Sequence, residues 1–129
     1  MRAALVVLVT GFSLIFLTVP IGAHHSWTAD YDAKKEVTAK GVVTKVEWTN
    51  PHTHIYVDST DEKGTVTSWN FEMASTLALE RAGWSRRTLK IGDQVTISGF
   101  GGRAVTTRAV ARAIITADGR ELFVGKPGQ

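Results

Sequence analysis

Val46-Glu47-Trp48-Thr49-Asn50-Pro51-His52-Thr53-His54-Ile55-Tyr56-Val57-Asp58 reads as the end of one strand, a tight Asn-Pro turn and a second strand. The alternate positions of that second strand are His52, His54, Tyr56 and Asp58. Residues two apart in a strand share a face and lie about 6.5–7 Å apart. The opposite set, Thr53, Ile55 and Val57, is apolar enough to predict the core side.

Upstream of the turn, the pattern turns to β at Val37 and runs to Trp48. Val37, Ala39, Gly41 and Val43 form one face; Thr38, Lys40, Val42, Thr44, Val46 and Trp48 form the other. Gly41 predicts a bulge or strong bend in mid-strand. Downstream, strand two spans His52 to Ser59 and Asp61-Glu62-Lys63-Gly64 makes a hairpin loop with Gly64 placed for positive φ. A third strand, Val66 to Met73, alternates Val66, Ser68, Asn70 and Glu72 with Thr67, Trp69, Phe71 and Met73. The period then changes. Ser75 is a good N-cap, Leu77, Ala78, Leu79 and Ala82 give a short helical face, and Gly83 ends it. Ser85 to Leu89 resembles a second helical turn. Strands are expected at Gln94–Phe100, Ala109–Thr116 and Glu121–Val124, with Ala109, Ala111, Ala113 and Ile115 opposite Val110, Arg112 and Ile114. Three strands, a helix and further strands is the order of an OB-like small barrel of five to six strands, its short helix between strands three and four. An antiparallel sheet with one covering helix is the alternative.

The chain has 129 residues, enough for one domain. Arg2 followed by the uncharged run Ala3–Val19 and Pro20-Ile21-Gly22-Ala23 describes a secretory signal peptide, with cleavage expected after Ala23. The long apolar run and Ile21, three positions from the cut, fit an uncleaved N-terminal anchor as the alternative. The expected organisation is residues 1–23 leader, 24–36 N-terminal segment, 37–124 β domain and 125–129 tail. That places the chain in the periplasm or outside the cell, touching membrane only if the leader stays. Without Arg2 there are 14 Lys and Arg against 12 Asp and Glu, so the high pI reflects a small excess and no basic stripe. Export and scattered charge argue against nucleic acid. The absence of cysteine excludes disulfides, thiolate metal sites and a thiol nucleophile.

The HHS start at His24-His25-Ser26, the run Gly41-Val42-Val43-Thr44-Lys45-Val46-Glu47-Trp48-Thr49-Asn50-Pro51-His52, the segment Arg81-Ala82-Gly83-Trp84 and Gly92-Asp93-Gln94-Val95 resemble a family of small exported bacterial proteins, the domain of unknown function of the DUF6152 type. The likeness covers essentially the whole chain after the leader. It implies a periplasmic β-rich domain and brings no activity with it. In the pattern that this chain resembles, the position of His52 belongs to the motif and that of His54 is open to other residues.

All four histidines fall in two pairs, His24/His25 and His52/His54. Cleavage after Ala23 would give His24 a free α-amine, which chelates together with its own ring. A further nitrogen from His25, His52 or His54 would suit copper, less so zinc. The plainer reading leaves the front end solvated, His52 bonded to its turn and His54 on a wet sheet face. Tyr56 and Asp58 share the His52/His54 face and could orient an imidazole. Glu47, beside the turn, is a ligand or acid–base candidate or a solvated strand-end carboxylate. Trp27, Trp48, Trp69 and Trp84 are expected in the core, or else lining a ligand groove on the barrel surface. Arg81, Arg86 and Arg87 around Trp84 fit an anion or, more plainly, a solvated face. No Ser/His/Asp order, Walker loop or dinucleotide fingerprint is present, and no catalytic residue or organic cofactor site is assigned. Two readings follow. One is a non-enzymatic binding module for a small molecule or periplasmic protein; the other is a copper-binding protein using the histidine pairs.

Overall fold

The computed structural model describes residues 27–125. The expected leader and its expected cut site, with His24 and His25, lie outside them. Within the described residues the fold is mainly β: six strands and two short helices, α1 (Trp27–Asp30), β1 (Tyr31–Glu47), β2 (His54–Thr60), β3 (Val66–Glu72), α2 (Thr76–Arg81), β4 (Gln94–Gly102), β5 (Arg108–Thr116) and β6 (Glu121–Leu122). The sheet order is β3-β2-β1-β4-β5-β6, and β3 also pairs with β5. Neighbour to neighbour, the pairings lead from β1 through β2, β3, β5 and β4 back to β1. All are antiparallel except the short parallel seam that sets Asn70, Phe71 and Glu72 beside Arg108, Ala109 and Val110.

The buried cluster draws on every strand of that ring and on α2, with Val43, Ile55, Val57, Phe71, Leu79, Ile97 and Ile114 fully enclosed. Each such side chain contributes about 1.5–3 kcal/mol of hydrophobic stabilisation. The β2 residues Ile55 and Val57 face inward as expected, which turns His54, Tyr56 and Asp58 to the outer face.

β1 departs from simple alternation for a physical reason. Its register against β2 shifts between Val43 and Lys45, so one extra residue is inserted and the inward set changes parity. Val43 points into the core, and beyond the shift Val46 and Trp48 pack against the same core. The apolar residues that sequence periodicity assigns to two faces therefore serve one. Gly41 lies outside the bulge. A Cβ there would sit 2.0 Å from the carbonyl oxygen of Asp58, so the glycine permits close strand approach. The strand also begins at Tyr31, where sequence periodicity starts it at Val37. A second shift, between Ser98 and Gly99, makes Arg112 the extra residue on β5. Ala109, Ala111 and Ile114 are buried and Ile115 is exposed, which corrects the alternation expected for that strand.

Helix α2 has the predicted caps. Ser75 Oγ accepts the Ala78 N–H at 3.3 Å. At the other end Gly83 (φ +93°) lets the Gly83 N–H reach Glu80 O at 3.0 Å and the Trp84 N–H reach Leu79 O at 2.9 Å, the paired bonds of a Schellman ending. Ser85 to Leu89 forms a bonded turn, not helix: Thr88 Oγ1 accepts from the Ser85 N–H at 2.9 Å and Ser85 Oγ from the Arg87 N–H at 3.2 Å. Side-chain oxygens here satisfy the backbone locally.

Candidate functional site

The Asn50–Pro51 bond is cis, and Asn50 ties the corner to α2: its Oδ1 accepts from Thr76 Oγ1 at 3.0 Å and from the Thr76 N–H at 3.2 Å. Thr53 then extends the β2–β3 ladder, its N–H bonded to Ala74 O at 3.1 Å and its carbonyl accepting from the Met73 N–H at 2.8 Å. Thr53 is fully buried, so His52 and His54 on either side of it are turned to the outer face.

The hairpin register sets His54 opposite Glu72, Tyr56 opposite Asn70 and Asp58 opposite Ser68. Three cross-strand rungs of polar side chains result. Ser68 Oγ donates to Asp58 Oδ1 at 2.6 Å. Asn70 Nδ2 donates to the Tyr56 hydroxyl at 3.3 Å, and that hydroxyl donates to Glu47 Oε2 at 3.1 Å. His54 Nδ1 meets Asn70 Oδ1 at 2.9 Å. Lys45 pairs with Glu47 and stands over the Tyr56 ring, 5.0 Å from its centre. The hydrogen bond from Lys45 holds the Glu47 carboxyl below the usual carboxylate range, against the opposing pull of burial.

Glu72 is the centre of the site. Its Oε1 lies 2.9 Å from His52 Nδ1; its Oε2 accepts from the Tyr31 hydroxyl at 2.5 Å and from Arg108 Nη2 at 2.7 Å. The Arg108 guanidinium also covers the Tyr31 ring at 5.6 Å from its centre. Burial alone would push the Glu72 carboxyl up; hydrogen bonds from Tyr31 and Arg108, with His52 and Arg108 charge, outweigh it and hold the group low. Burial, then the bond to Glu72, pushes the Tyr31 hydroxyl well above the ordinary phenol range. A carboxylate engaged at both oxygens and held ionised orients its neighbours; it is poorly placed to take up a proton.

Of the residues singled out from sequence, Glu47, His54 and Tyr56 are joined through Asn70, while His52 belongs to the Glu72 cluster and Asp58 to the Ser68 rung. Trp48 packs against the core and Trp84 is almost fully buried in it; the indole of Trp84 still borders a surface hollow shared with Glu80, Ser85, Arg86 and Arg87. Trp27 stacks on Phe100 and Trp69 on Phe71, with ring centres 5.4 and 5.7 Å apart. Glu72, Tyr31, Arg108 and Asn70 are the site residues that sequence periodicity does not single out. The hairpin register would have placed Asn70 and Glu72. Among the described residues no three His, Asp or Glu side chains gather as a ready metal cage, and no helix is long and apolar enough to cross a membrane.

The model of the family of unknown function DUF6152 matches residues 13–111. The chain belongs to this family. The match takes in the Asn-Pro corner, both rungs around His54 and Tyr56, Glu72 and Arg108. No curated protein matches the chain, and no solved structure does.

Proposed function

We propose that this DUF6152 member is an exported, non-enzymatic binding module, an OB-like barrel that recognises a small molecule or periplasmic protein with the outer face of β2 and β3. One observation carries the reading. The outward side chains of the two strands are held in place by one another, and β1 and β5 send Tyr31 and Arg108 to the same face. Recognition is favoured when polar groups are ordered before the ligand arrives, because less freedom is lost on binding. The OB-like reading is supported by the β1-β2-β3-β5-β4 ring of pairings and by a helix between β3 and β4 that sends Leu79 into the core. Export is supported by the apolar run behind Arg2.

The test is native mass spectrometry on the chain recovered from the cell envelope, with hydrogen exchange to locate any bound species. The expected protein begins at His24, carries a non-covalent mass, and is protected on β2 and β3. Tyr56→Phe combined with Asp58→Asn releases that mass. A chain carrying nothing, or protected on β4 and β6 instead, overturns the proposal.

A further inference from the structure

The hydrogen bonds along β2 and β3 run in one direction, and that direction decides what the two histidines present. Glu47 is a carboxylate and can only accept, so the Tyr56 proton is committed to it. The Tyr56 oxygen must then accept, which turns the Asn70 amide nitrogen toward it and the amide oxygen toward His54. An amide oxygen accepts; in the neutral ring His54 Nδ1 therefore carries the proton and Nε2 is the free nitrogen. His52 arrives at the same state by a different route. Its Nδ1 faces the Glu72 carboxylate, which likewise only accepts. Two imidazoles on one face thus have oxygen partners that select, in the neutral rings, the same Nδ1–H tautomer.

From this we infer that His52 and His54 offer their Nε2 atoms as a pair of ligands for a borderline divalent transition metal, with Cu(II) bound most tightly. An Nδ1–H held by a carboxylate or amide oxygen, with Nε2 left free, is the arrangement that fixes ring orientation and raises ligand basicity at protein metal sites. Imidazole nitrogens select copper, zinc or nickel over magnesium and calcium, and copper heads the divalent order. His52 and His54 flank the buried Thr53 and share the outer face, their Nδ1 atoms each 2.9 Å from an oxygen, of Glu72 and Asn70 respectively. Among the described residues no third His, Asp or Glu gathers with them, so solvent would complete the coordination. Asn70 and Glu72 are positioning residues in this scheme. The inference names a ligand for the face proposed above as the recognition surface and rests on that reading.

The test uses the full exported chain and Cu(II) as the probe. In the metal-free protein, long-range nitrogen–proton spectra of the rings are expected to report the Nδ1–H tautomer for both His52 and His54. This needs no variant, so a folding defect cannot obscure it. Electron paramagnetic resonance with one equivalent of Cu(II) is expected to show two imidazole nitrogens. His52→Gln and His54→Gln each weaken binding at least tenfold. Asn70→Leu weakens it roughly ten- to a hundredfold and shifts the His54 ring spectrum toward the other tautomer. Finding Nε2–H on either ring overturns the inference, as does copper binding that survives both histidine changes and disappears with His24→Ala. In either case a bound species still protecting β2 and β3 would leave the binding-module reading intact.

Discussion

Tyr31, the first residue of β1, donates its hydroxyl to Oε2 of Glu72, the last residue of β3, across a sequence separation of 41 residues. Burial and this bond favour the protonated phenol in the folded chain. A group whose folded value is raised contributes stability in full below its unfolded value, about 10 for a phenol, and loses it as pH climbs toward the folded value. Tyr31→Phe is therefore expected to cost about 1.5 kcal/mol at pH 7 and to soften the alkaline fall in stability. Tyr56, also pushed up by burial and by Glu47, keeps a residual slope. Urea titrations from pH 7 to 11 measure both; parallel curves for the two proteins would refute the assignment.

Glu72→Gln keeps the shape and removes the charge. It leaves Arg108 without its carboxylate and a single amide oxygen where two oxygens had served His52 on one side and Tyr31 and Arg108 on the other. Removing one partner of a fully buried pair costs roughly 3–5 kcal/mol. The Arg108 side chain is 41% exposed, so water screens part of the loss and about 2 kcal/mol is expected. Chemical denaturation checks the value, and a change below about 0.5 kcal/mol would remove Glu72 from the centre of the site.

Much of this site was legible in the sequence, and the missing part has a definite cause. Alternation placed His52, His54, Tyr56 and Asp58 on one side because Ile55 and Val57 had to go inward. Ser75, Gly64 and Gly83 announced a cap and two turns through their own chemistry. Tyr31 sits in a polar stretch with no β alternation, and becomes strand only because β4 pairs with it. Arg108 reaches Glu72 only through the parallel seam, a contact between distant segments that no local pattern encodes. The change of parity after Val43 depends on a bulge, and periodicity is blind to one inserted residue.

Gly41→Ala is expected to cost about 3 kcal/mol, since its Cβ would meet the Asp58 backbone oxygen at 2.0 Å and neither strand can yield without breaking its ladder. Thermal unfolding reads the loss directly. An alanine variant as stable as the parent would mean that β1 and β2 approach less closely than described.

Thr53 Oγ1 is buried with no hydrogen-bond partner. Thr53→Val keeps the branched shape and removes the stranded hydroxyl, so stability is expected to rise by about 1 kcal/mol. A fall in the urea midpoint would point to a partner for this oxygen.

Thr53 also links the interior to what the surface displays. It is sealed inside the molecule and bonded through its backbone to Met73 and Ala74, while its two sequence neighbours are the imidazoles of the outer face. The aim of those rings is thereby geared to the packing beneath them. A changed packing around Ile55 or Phe71 is therefore expected to re-aim His52 and His54 without touching either, so drift in the interior would retune the surface.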